Sequence, residues 1–124
     1  MTAERIALGK AGEDLACREL ERRGYAILER RYRRRSGELD IVARDGPTIV
    51  FVEVKAREGR EFGDPGEAVT AAKRRRMTRL AVDYVTRNHL TGCQCRFDVV
   101  SIHIDSEAPV IDVFPNAFDA VGWV

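Results

Sequence analysis

The chain is 124 residues long, 44% hydrophobic and 33% charged, with a net charge of +1. That length predicts one domain over 1–124 with a core of its own. There is no run of about eighteen apolar residues to cross a membrane and no apolar leader block in 1–12, and the three cysteines, Cys17, Cys93 and Cys95, point to free thiols in a reducing, cytoplasmic setting.

Residues 3–23 predict a first helix. Ile6, Leu8, Ala11, Leu15, Ala16 and Leu20 recur at helical spacing, and Gly24 is placed to cap it. Glu13 has Gly9, Ala16, Cys17 and Leu20 as helical neighbours, which puts an acid at the edge of the buried stripe. Gly9 and Gly12 each weaken the helix by about 1 kcal/mol relative to Ala. That cost predicts close approach of the backbone to a strand or to nucleic acid. Tyr25 to Tyr32 alternates as a first strand, Leu39 to Arg44 as a second and Thr48 to Ala56 as a third. The turn Asp45-Gly46-Pro47 joins the last two as a hairpin.

Residues 59–66 predict a loop, with Gly63, Pro65 and Gly66 as breakers. A second helix is expected over 67–87, with Val69, Ala72, Met77, Leu80, Ala81, Tyr84 and Val85 as its buried stripe. A fourth strand follows over 95–104, a fifth over 110–114, and a short terminal helix over 115–121 held down by Trp123. The expected class is α/β: an αβββαβ core whose mixed, hairpin-rich sheet is flanked by the two long helices.

The third strand sets Glu53 and Lys55 among Ile49, Val50, Phe51, Val52 and Val54, and buried charge is expensive without partners. Strand period places Glu53 and Lys55 on one face and Glu38 and Asp40 on one face. Either two-residue or four-residue hairpin loops keep all four together, and only an odd loop or a bulge would separate them. The four-residue alternative sets Asp40 directly opposite Glu53, with Cβ atoms about 5 Å apart. Two such carboxylates with water suit Mg²⁺ or Mn²⁺, hard ions that prefer oxygen. Such an ion polarises a phosphate and lowers the pKa of a bound water. Lys55 would stand beside that water, to orient it or to stabilise transition-state charge. Glu38 is read as a supporting group, a ligand or a partner for nearby arginines. A plain salt bridge, with Lys55 neutralising Glu53 or Asp40, stays open.

All 21 basic residues lie at or before Arg96, so residues 1–96, with 15 acids, carry +6 and residues 97–124 carry −5. Arg33, Arg34 and Arg35 cluster before the second strand, Arg57 follows Lys55, and Lys73, Arg74, Arg75 and Arg76 open the second helix. These are read as phosphate contacts whose affinity falls steeply with salt. They form no base-reading pattern, so backbone or shape recognition is expected. Cys93 and Cys95 with His89 and His103 lack the spacing of a structural zinc site. They are read as buried thiols beside a strand. Asp98 is expected to support an arginine or a helix end.

Several separated motifs agree in order and spacing with one family. They are Gly12-Glu13, residues 37–43 around Asp40, residues 51–57 around Glu53 and Lys55, Phe62-Gly63, Glu67-Ala68-Val69, Lys73 with Arg76, and residues 96–100. Over roughly residues 9–103 the chain resembles the YraN-like family of uncharacterised bacterial proteins. Through it, the chain resembles the PD-(D/E)xK superfamily of restriction endonucleases and Holliday-junction resolvases. The resemblance implies a restriction-endonuclease-like αβββαβ core, Asp40 and Glu53 as metal ligands, and Lys55 as the catalytic lysine. Glu13 would match the helix-one acid of resolvase-like members and join the metal ligands. Leu39 replaces the proline of the superfamily's first motif.

The expected function is a Mg²⁺- or Mn²⁺-dependent endonuclease acting on structured or branched DNA in repair or recombination. A homodimer is its expected assembly, with no small-molecule cofactor. The alternatives are a nucleic-acid-binding module with a silent site, and a protein adaptor whose acidic tail meets a basic partner.

Overall fold

The computed structural model describes residues 3–58, 69–104 and 108–123. Seven elements follow in order: α1 (Ala3–Arg22), β1 (Ala26–Arg34), β2 (Gly37–Asp45), β3 (Thr48–Glu58), α2 (Ala71–Arg87), β4 (Cys95–Ile104) and β5 (Val110–Phe118). The strands form one sheet in the order β1-β2-β3-β4-β5. All neighbours are antiparallel except β3 and β4. That parallel pair requires a crossover, and α2 supplies it.

Local chemistry sets most boundaries. Gly24 takes φ +94 after α1. The Tyr25 N–H donates to the Leu20 carbonyl at 2.9 Å and the Gly24 N–H to Glu21 at 3.0 Å, a Schellman cap. Gly46 takes φ +58 at the β2–β3 turn. Pro47 cannot follow it into positive φ, so of the two tight hairpin turns only the type with a single left-handed residue fits. Thr70 caps α2, its hydroxyl accepting from the Lys73 N–H at 3.2 Å.

The helices cover opposite faces. On one face Val42, Ile49, Phe51, Phe97 and Val99 pack on Met77, Leu80 and Tyr84 of α2. On the other, Ile41, Ala43, Val50, Val52 and Val100 pack on Ala16, Cys17 and Leu20 of α1. The strand approach expected for α1 occurs at Gly12, where a Cβ would lie 3.0 Å from the Ala56 Cβ of β3, while at Gly9 no described residue lies within 4 Å of such a Cβ.

The C-terminal segment and the start of α2 differ from the sequence reading. No terminal helix forms over 115–121, because β5 runs on to Phe118. Asn116 adopts φ +53 and donates its N–H to Asp98 Oδ1 at 2.9 Å, and the Phe118 ring stacks on Phe97 with centroids 4.9 Å apart. These contacts to β4 reward an extended chain over a helix. Trp123 is left 37% exposed. α2 begins at Ala71, with Val69 buried ahead of its cap. The expected loop over 59–66 and the residues Glu67 and Ala68 lie outside the described residues.

One irregularity positions the site. Tyr32 and Leu39 are cross-strand partners and both join the core under α2. Two residues along, Ile41 joins the core under α1 and its partner Arg30 reaches Glu13 of α1. Strand alternation therefore slips at Asp40, opposite Arg31, whose φ is +54. The slip leaves Glu38 and Asp40 on different faces, so the expected four-residue face loses Glu38. It is the bulge-like exception that hairpin register alone does not reveal. Gly37 starts this stretch with φ +142, against the Arg76 side chain of α2. Gly37→Ala forces a Cβ into that backbone conformation. An expected loss of about 1–3 kcal/mol in urea unfolding checks it.

Candidate active site where β2 and β3 stop pairing

The hairpin pairs from Asp45 with Thr48 to Ile41 with Val52. This register brings Asp40 across from Glu53 at the next step. There a side chain replaces the ladder: the Val54 N–H donates to Asp40 Oδ2 at 2.8 Å. β3 continues along β4 instead, with Glu53 beside Val99 and Lys55 beside Ser101. The two carboxylates thus occupy the point where β2 and β3 stop pairing.

Glu53 is only 6% exposed. Burial first, and then the neighbouring Glu53 charge, push the Asp40 carboxyl up to about 7; the Val54 N–H and the Lys73 ammonium pull the other way. Two close carboxylates taken partly out of water disfavour double ionisation unless a cation joins them. The cation present is Lys73, whose Nζ pairs with Glu53 Oε1. Lys55 alternates onto Glu53's face two residues along, and among the described residues its amine has no partner. The alternative left open, a plain salt bridge from Lys55, does not form here, and α2 supplies the neutralising charge.

Lys73 was read as a phosphate contact. The structure also gives it a partner inside the protein. Because α2 starts at Ala71 and not at Glu67, the basic run from Lys73 to Arg76 falls at its beginning, with no acid in the first turn. Cations there oppose the helix dipole by about 0.3–1 kcal/mol each. An acid from elsewhere in the fold is the natural compensation, and Glu53 provides it.

Glu13 stands elsewhere. It is buried on the α1 side, accepting from Arg30 Nε at 3.0 Å and Arg31 Nε at 3.2 Å. Two guanidiniums occupy both of its oxygens. Among the described residues no three His, Cys, Asp or Glu side chains gather around one point. The expected Glu13–Asp40–Glu53 ligand set is therefore reduced to the pair Asp40 and Glu53. Glu38 accepts from Arg33 at 3.2 Å, the arginine-partner role among its alternatives.

The other expected phosphate contacts divide. Arg34 pairs with Asp83 at 3.0 Å and lies 4.9 Å over the Tyr32 ring. Arg74 donates to the Val69 carbonyl at 3.0 Å and lies 5.3 Å over Phe118. Arg57 is half-buried on β3 opposite His103. Arg35, Arg75 and Arg76 are exposed, with no ion pair among the described residues. Among the expected phosphate contacts those three are exposed and lack such a pair, while Arg33 and Arg34 are exposed but paired.

Two carboxylates and a backbone clamp fit one hard divalent cation with water completing its shell. The donor set has no soft ligand and suits no thiophilic metal.

Residues 12–102 match the family model described as uncharacterised protein family UPF0102. The chain belongs to the UPF0102 family. It is 54% identical over 114 residues to a UPF0102 protein of Symbiobacterium thermophilum, covering 91% of this chain and 97% of that one. It is 46% identical over 119 residues to one of Geobacter metallireducens, covering 96% and 98%. A relative in Syntrophotalea carbinolica is 46% identical over 123 residues, covering 99% and 100%.

The matched span of this UPF0102 protein contains Glu13, Asp40, Glu53, Lys55 and Lys73. Among its described residues no helix is long and apolar enough to cross a membrane. A cavity of about 290 Å³ lies away from the acid pair, lined by Cys93, Cys95, Phe118 and Trp123 among others. Both of those thiols are free and half-buried, and Cys95 Sγ approaches the Cys93 carbonyl at 3.7 Å.

Proposed function

We propose that this UPF0102 protein is a divalent-metal-dependent endonuclease with a restriction-endonuclease-like core, acting on structured or branched DNA. The observation that carries the reading is the Asp40–Glu53 pair at the end of the β2–β3 ladder. The αβββαβ order, with a parallel β3–β4 pair across α2, supports it. Asp40 and Glu53 would hold Mg²⁺ or Mn²⁺, which when bound polarises the scissile phosphate and lowers the pKa of a water. Val54 holds the Asp40 carboxyl in place through its N–H. Lys55, on the same strand face as Glu53, orients the attacking water or donates to the developing negative charge. Arg35, Arg75 and Arg76 bind backbone phosphates, a contact that ranks substrates by shape. As a homodimer, two such sites would cut two strands.

A second reading is a nucleic-acid-binding module with an idle site. The Lys73–Glu53 ion pair favours it, because the site's charge is already partly balanced.

The test is cleavage of duplex, single-stranded, flap and four-way-junction DNA with Mg²⁺ or Mn²⁺. Wild type is expected to cut, and Glu53→Ala and Lys55→Ala to lose about a hundredfold or more. Salt-sensitive binding without cleavage, unchanged by Lys55→Ala, establishes the idle-site reading. Cleavage that survives both substitutions sinks the mechanism.

A further inference from the structure

We propose that Lys73 is the resident counter-cation of the Asp40–Glu53 pair and that a divalent ion and the Lys73 ammonium compete for the same place. The inference rests on the reading of these two acids as metal ligands. It says what holds the site together before metal arrives.

Three observations carry it. Glu53 is almost wholly buried, and its charge is met by Lys73 from another element rather than by Lys55 beside it. Lys73 sits in the first turn of α2, where the helix dipole disfavours a cation unless an acid faces it. Asp40 is already clamped by the Val54 N–H. The pair is thus positioned with the ammonium in place, and breaking a buried pair without replacing the cation leaves charge uncompensated.

A divalent ion bound by both acids replaces the single charge of Lys73 and repels it. The two occupants exclude each other electrostatically, and the site is never without a cation. The displaced ammonium remains on the side of α2 that carries Arg76, three residues on. Arg76 lies against Gly37 at the start of β2. Metal uptake therefore adds one cation to the exposed basic side of α2, on which DNA phosphate would bind.

The experiment is Mn²⁺ titration by calorimetry on the whole chain, without DNA. Wild type is run beside Lys73→Met, Lys73→Arg and Asp40→Asn. Losing a charge-assisted contact as competitor predicts Mn²⁺ binding about ten- to hundredfold tighter in Lys73→Met. Lys73→Arg is expected to stay near wild type, and Asp40→Asn to lose binding. Thermal unfolding in EDTA is a second readout. Lys73→Met is expected to melt below wild type, and added Mn²⁺ to raise its Tm by more. Equal or weaker Mn²⁺ binding in Lys73→Met overturns this inference and leaves the metal reading standing. Mn²⁺ binding to neither protein overturns both. An unchanged Tm for Lys73→Met in EDTA overturns the counter-cation role.

Discussion

Asp98→Ala is expected to lower the free energy of unfolding by about 3–5 kcal/mol, the range for breaking a buried charge pair on one side. Asp98 is fully buried on β4. Its Oδ1 accepts from Arg96 Nε at 2.8 Å and from the Asn116 N–H at 2.9 Å. Its Oδ2 accepts from the Tyr25 hydroxyl at 3.1 Å and from an Arg96 terminal nitrogen at 3.0 Å. Arg96 also reaches Asp45 in the β2–β3 turn at 3.0 Å. One carboxylate therefore ties β5, the turn between α1 and β1 and, through Arg96, the hairpin that carries the acid pair. Truncation leaves a guanidinium partly buried and a tyrosine hydroxyl short of its acceptor. Burial and the Asp98 charge hold that hydroxyl up at about 12, so it stays a donor at every working pH. Urea unfolding of Asp98→Ala, Arg96→Met and the double variant checks the network. The double loss is expected to fall well short of the sum, because either single change already breaks the unit. Additive losses would show that the two residues act separately.

The second large effect is on pH. Asp40 binds its proton more tightly folded than unfolded, since its carboxyl stands at about 7 against an ordinary 3.8. Between roughly pH 4 and 7 the native state therefore holds a proton that the unfolded chain has lost. Stability falls as pH rises through that window, by at most about 1.4 kcal/mol per pH unit from this group. The contribution is fully favourable below the unfolded value and gone above the folded one. Asp83, lowered to about 2 by Tyr32 and then Arg87, contributes in the opposite direction and at more acid pH, so it does not mask the trend. In metal-free protein, the difference in unfolding free energy between wild type and Asp40→Asn is expected to slope downward from pH 4 to pH 7. A flat difference would mean that water or Lys73 lets Asp40 ionise freely. Saturating Mn²⁺, which favours the ionised form, is expected to shift the window to lower pH.

Much of this was legible locally. Gly24, Asp45-Gly46-Pro47 and the period of each segment mark helix end, turn and strands, because those signals act within a few residues. Alternation along β3 and hairpin parity also put Asp40 and Glu53 on one face, and the register that pairs Ile41 with Val52 sets them across from each other. Local signals lose their hold where distant side chains compete for the same residues. Residues 115–121 read as a helix, but the Phe97 ring and the Asp98 carboxylate on β4 claim Phe118 and Asn116 and keep the chain extended.

The sequence by itself determined the two long helices, the five strands and their order, the family and a shared face for two acids on one hairpin. Only the tertiary structure decided the charges around them. Lys55 and Lys73 are equally basic in the sequence, and which one meets Glu53 depends on where α2 lands on the sheet. Arg31 at φ +54 and the slip at Asp40 decide that Glu38 leaves the site, while Arg30 and Arg31 decide that Glu13 is held on the other face. Pairing between distant side chains is set by packing geometry, which no short-range pattern encodes.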